Sequence, residues 1–175
     1  MIMRTCTGPG NAEKEGGKIK GGNGGPSPNI RKIARQISGN SPRKRLTALG
    51  KIADSPKALA YVASTSVHGD VGEAALKTLF NDMGSLSAIL RGMAGRALHP
   101  WEREFIRMVE EKLGPSTSTD AKLLRIEAWR ILNNRVFGQS GICKALDGST
   151  IEFVDESPAH FEPDALAQIL EETQA

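Results

Sequence analysis

The sequence predicts an all-α protein: a stack of helical hairpins in which neighbouring units bury each other, followed by a small appendage of one β-hairpin and one helix. Three observations carry this reading. Apolar residues recur at helical spacing across residues 29–133. Aromatic residues make up 5% of the chain while Ala and Leu recur, which suits closely packed helices better than a β-sandwich. Ser-Pro and His-Pro pairs punctuate the pattern where helices should begin, proline being favoured at the first helical position. At 175 residues the chain has the length of one domain with a tail.

Residues 1–28 hold eight glycines and almost nothing apolar to bury, so the conformational entropy of ordering them is not offset and a disordered basic tail is expected. The run Gly21 to Gly25 is not a phosphate loop, because neither an apolar strand before it nor a Gly-Lys-Ser/Thr after it is present. Ile30, Ile33, Ala34 and Ile37 then mark a first amphipathic helix, stopped by Gly39 and Asn40. Ser41-Pro42 opens a second, with Leu46, Leu49, Ile52 and Ala53 inward, and Ser55-Pro56 opens a third carrying Leu59, Ala60, Val62 and Ala63. Asp70 is expected to cap the fourth, whose inner residues are Val71, Ala74, Ala75, Leu76 and Leu79. Residues 86–93 form the fifth. His99-Pro100 starts a sixth, with Phe105, Ile106 and Val109 inside, and residues 120–133 form a seventh with Leu123, Leu124, Ile126, Ala128, Trp129, Ile131 and Leu132 on its apolar side.

A shift of 30 residues lays the chain on itself: Leu46 on Leu76 and Ile106, Leu49 on Leu79 and Val109, Ala53 on Met83 and Leu113, with Asn40, Asp70 and Pro100 in register before the helices. Such units cannot bury their apolar faces alone and stack into a solenoid. The segment Asp70-Val71-Gly72-Glu73-Ala74-Ala75-Leu76-Lys77-Thr78-Leu79 resembles the first helix of a HEAT repeat, of the short variety whose unit has the length of this shift, and the resemblance spans residues 41–113. It implies an α-solenoid acting as a binding scaffold. The helical-repeat domain is read as residues 29–133 and the appendage as residues 134–175. In the appendage, residues 142–146 and 150–154 flank Asp147-Gly148-Ser149 as a β-hairpin, and Pro163 opens a final acidic helix with Ala165, Leu166, Ile169 and Leu170.

Charge is unevenly spread. The net charge is +3, but residues 1–60 carry 12 Lys/Arg against 3 Asp/Glu, and residues 147–175 carry 8 Asp/Glu and no Lys or Arg. The two cysteines, Cys6 and Cys143, support no disulfide framework, and Cys143 reads as a buried hairpin thiol. No apolar run of signal-peptide or membrane-span length is present, so a cytoplasmic protein without membrane association is expected. His68, His99 and His160 have no partner at metal-ligand spacing, and no nucleophile has an adjacent base, so neither metal, cofactor nor catalytic residue is assigned. Trp101 and Trp129 sit on helical apolar stripes and read as packing residues.

The expected function is a non-catalytic scaffold that binds a protein partner. The alternative is a nucleic-acid-associated protein. Arg31, Lys32 and Arg35 on one helix and Arg43, Lys44 and Arg45 at the start of the next are six cations suited to a phosphate backbone, with no interleaved aromatic residue to read bases.

Overall fold

The computed structural model of the chain describes residues 26–133, 142–144, 150–152 and 159–174; the Gly-rich stretch to residue 25 lies outside them. Among the described residues the helices are α1 (Pro28–Ile37), α2 (Pro42–Gly50), α3 (Pro56–Thr65), α4 (Gly69–Phe80), α5 (Met83–Met93), α6 (Pro100–Leu113), α7 (Thr119–Asn133) and α8 (Pro163–Gln174). Strands β1 (Ile142–Lys144) and β2 (Thr150–Glu152) pair antiparallel, Ile142 opposite Glu152, Cys143 opposite Ile151 and Lys144 opposite Thr150. The expected turn at residues 147–149 and the strand side chains, the Cys143 thiol among them, lie outside the described residues.

The starts of these helices follow from proline and short polar side chains. Pro28, Pro42, Pro56, Pro100 and Pro163 each open a helix, where a missing N–H costs nothing. The Ser27 hydroxyl accepts from the Ile30 N–H, and Asp82 Oδ1 accepts from the N–H groups of Gly84 and Ser85 at 3.0 and 3.2 Å. Asp70 is not the cap it was expected to be. His68 holds that position, Asp70 lies inside the first turn of α4, and its carboxylate faces Arg45 instead.

Helix α3 occupies the middle of the molecule. Residues 58–63 are buried without a break, as a helix surrounded by α4, α5, α6 and α8 requires. Sequence neighbours α1 and α2, α3 and α4, and α6 and α7 pack as pairs. Helix α8 returns to lie on α1 and α3, and its Leu166, Ala167, Ile169 and Leu170 join the same core as Ile30, Ala34 and Ile37. The last described helix therefore closes over the first.

Two inner faces differ from the sequence reading. Leu46 is 44% exposed and Ala53 is exposed too; the inward stripe of α2 is Arg45, Ala48 and Leu49, with Ile52 buried in the turn after the helix. A cation takes the apolar place because Asp70 and the Gly39 carbonyl satisfy it. The 30-residue shift then aligns Arg45, Ala75 and Phe105, all buried, beside Leu49, Leu79 and Val109, also buried, whereas Leu46 does not share the burial of Leu76 and Ile106. On α7 only Ala121, Leu124, Ala128 and Ile131 are buried; Leu123, Ile126 and Trp129 are exposed. Helix α7 packs on α5 and α6 along one stripe, with Leu132 partly buried beside it, and Leu123, Ile126 and Trp129 lie on the exposed side, which does not fit the packing role read for Trp129.

Candidate functional site

A groove of about 1150 Å³ runs between α3, α5, the start of α6 and α8. Its floor is apolar: Ile89 and Met93 from α5, Trp101 from α6, and Ala165 and Ile169 from α8. Tyr61 of α3 forms the wall. Its ring meets Trp101 edge-on at 5.4 Å between centroids and Phe161 in a tilted contact at 5.8 Å. The Tyr61 hydroxyl accepts from the Glu162 N–H at 2.9 Å, which seats the chain entering α8 on α3. Burial pushes that hydroxyl's pKa up, against the opposing pull of the same hydrogen bond.

Charged groups sit at the rim. Lys57 meets Glu172 at 2.9 Å, both well exposed. Arg96 and Glu102 make a fork-to-fork pair, with Arg96 Nη1 donating to Glu102 Oε2 at 2.8 Å and Nη2 to Oε1. Glu102 is 1% exposed and also accepts from the His99 N–H at 2.9 Å, closing the first turn of α6. Burial raises the Glu102 pKa, but Arg96 and the His99 N–H outweigh it and hold the carboxyl below its ordinary value. Gly95, at φ +74°, supplies the left-handed turn that swings the chain from α5 back toward α6 and delivers Arg96 to its partner. Two pairs of charged groups at the groove, Lys57 with Glu172 and Arg96 with Glu102, are thus engaged with one another. Among the described residues no three His, Cys, Asp or Glu side chains gather as a metal site.

The six cations singled out in the sequence divide. Arg31, Lys32, Arg35 and Lys44 line one concavity of about 680 Å³, together with Gln36, Gly39, Asn40 and Ser41. Arg43 is exposed but does not line it, and Arg45 is buried at 6% exposure in its pair with Asp70, so Arg45 is withdrawn from any external phosphate. Arg31 and Arg35 also border a second concavity whose far wall is the acidic face of α8, with Asp164, Glu171 and Glu172.

The groove escaped the sequence reading because its walls come from four helices distant in sequence. One local signal was available: Glu102 stands three residues after His99 with Pro100 between, the spacing of a capping box. No described helix is long and apolar enough to cross a membrane. In comparisons with known proteins, no family model, no curated protein and no solved structure matches this chain.

Proposed function

We propose that the chain is a non-catalytic protein-interaction module built on HEAT-like helical hairpins, taking a partner's apolar side chains into the groove between α3, α5, α6 and α8. The observation that carries this reading is the groove itself, an apolar floor beside the Tyr61–Trp101 pair with the half-exposed Arg96 at its edge. Trp and Arg are among the side chains that most often carry binding energy at protein interfaces, and here Trp101 and Arg96 are the accessible ones, with Tyr61 buried behind them. The pairing of α1 with α2, α3 with α4 and α6 with α7 supports the helical-hairpin reading. Leu123, Ile126 and Trp129 add an exposed apolar stripe on α7, a feature that marks interaction surfaces.

Selection of helical peptides from a displayed library against the full chain tests this. Ala88 lines the groove and is exposed, so Ala88→Glu places a charge over the apolar floor at little cost to folding. Selected peptides should lose at least tenfold in affinity to Ala88→Glu while Arg107→Gln, at an exposed site outside the groove, leaves them unchanged. Peptides indifferent to Ala88→Glu would sink the assignment of the groove.

A further inference from the structure

The starts of α1 and α2 are charged against their own interest. Arg43 and Lys44 stand at the second and third positions of α2, and neither α1 nor α2 has an acidic residue in its first turn. The N-terminal end of a helix is the positive end of its dipole, so cations there are disfavoured by a few tenths of a kcal/mol each, roughly. Ser41, the residue before α2, makes no side-chain capping bond that would satisfy the first-turn N–H groups. On α1, Arg31 and Arg35 lie four residues apart, a spacing at which like charges repel.

These costs converge on one place. Arg31, Lys32 and Arg35 from α1 and Lys44 from α2 line the same concavity, whose walls contain no acidic residue. Among the described residues none of the four forms an ion pair. A bound polyanion would neutralise the four charges, relieve the repulsion along α1 and meet the positive end of α2.

We propose that this concavity is a sequence-independent binding site for the phosphate backbone of a nucleic acid, gripped by Arg31, Lys32, Arg35 and Lys44. Four cations spread over two helices fit a run of phosphates better than a single one. The acidic wall of α8 across the neighbouring concavity repels a phosphate strand and confines it to the α1–α2 side. The lining has no aromatic side chain, so bases are neither stacked nor read, and no large apolar side chain to enter a lipid surface. This site is separate from the groove and stands whether or not the groove binds a protein.

The test is fluorescence anisotropy of the full chain with labelled single-stranded and duplex oligonucleotides over a salt series. A parallel flotation assay uses phosphatidylserine-containing vesicles. Four phosphate contacts predict a log affinity against log salt slope of about −2.8 for a single strand and about −3.6 for a duplex, so a single strand loses roughly 50-fold between 50 and 200 mM salt. Replacing Arg31, Lys32, Arg35 and Lys44 by Gln should abolish binding, and each single replacement should flatten the single-strand slope by about 0.7. All four are exposed, so the fold should persist, checked by an unchanged thermal midpoint. Arg107→Gln, at an exposed site on α6, should leave the slope unchanged. The proposal is overturned by absence of salt-sensitive binding, by binding that survives the fourfold variant, or by vesicle binding that the fourfold change abolishes while oligonucleotides are ignored.

Discussion

Arg45 Nη2 lies 2.8 Å from Asp70 Oδ2, so a cation on the inward stripe of α2 is anchored to the first turn of α4. Its Nη1 donates to the Gly39 carbonyl at 2.9 Å, which ties the turn between α1 and α2 to the same guanidinium. Three segments therefore meet at one side chain. The hydrogen bond from Arg45 also lowers the Asp70 pKa below its ordinary value. Arg45 Nε is buried and has no hydrogen-bond partner among the described residues, so the site is not fully satisfied.

That arrangement predicts an asymmetry between the two partners. Asp70→Ala strands a buried cation, whereas Arg45→Met replaces it by an apolar chain of similar reach and leaves Asp70 open to water. In a denaturant titration Asp70→Ala should lower the midpoint clearly and Arg45→Met should lower it less or raise it. The reverse order would show that the charge of Arg45 is itself stabilising.

Part of the acid limb of stability should trace to Glu102, the most buried of the carboxyls whose values are lowered. Its carboxyl has a lower pKa folded than unfolded, so it contributes stability in full above the unfolded value and loses it as pH falls through the depressed folded value. Glu102→Gln should therefore flatten the fall in unfolding free energy below the ordinary carboxylate range. At neutral pH, Arg96→Ala should cost about 3 kcal/mol, the lower edge for unpairing a buried charge, because the His99 N–H still donates to the carboxylate. An unchanged acid limb in Glu102→Gln would place that dependence elsewhere.

Helix positions were legible in the sequence because proline, serine and aspartate act locally, within one turn of the helix they start. Pro100 opens α6, and Phe105, Ile106 and Val109 are buried, as their spacing predicts. Inner faces were less legible, since they depend on what stands opposite. Nothing within α2 shows that Arg45 points inward, because its partner Asp70 is 25 residues away. Leu123, Ile126 and Trp129 read as core by hydropathy, yet only neighbouring helices decide which stripe of α7 is covered. Of the six cations read from the sequence, Arg31, Lys32, Arg35 and Lys44 are brought together because they lie on two consecutive helices joined by a short turn, whereas Arg43 and Arg45 fall outside the concavity.

The burial pattern separates residues that the thirty-residue shift treats as equivalent. Leu49→Ala and Leu79→Ala should each cost about 2–5 kcal/mol, as truncation of a buried leucine does. Leu46→Ala should fall within about 0.5 kcal/mol of the parent, as for an exposed site. Equal losses at Leu46 and Leu49, read from urea midpoints, would restore the original register.

The two tryptophans should respond differently to a collisional quencher. Trp129 is 55% exposed, whereas Trp101 is half-buried against Tyr61. Acrylamide should quench Trp101→Phe, which retains Trp129, more steeply than Trp129→Phe. Equal slopes would mean that something covers the outer face of α7.

Helix α8 is expected to hold the fold together rather than hang from it. Leu166, Ile169 and Leu170 are buried against α1 and α3, and each such side chain is worth about 1.5–3 kcal/mol when withdrawn from water. Together they approach the entire 5–15 kcal/mol or so that a small domain has in reserve. Deleting residues 159–175 should therefore abolish cooperative unfolding, and Leu166→Ala alone should cost about 2–5 kcal/mol. The exposed Lys57 to Glu172 pair contributes little by comparison, so Lys57→Met should leave the midpoint nearly unchanged. If the truncated chain still unfolds cooperatively at the parent midpoint, α8 is an accessory and the core formed by the remaining helices is sufficient.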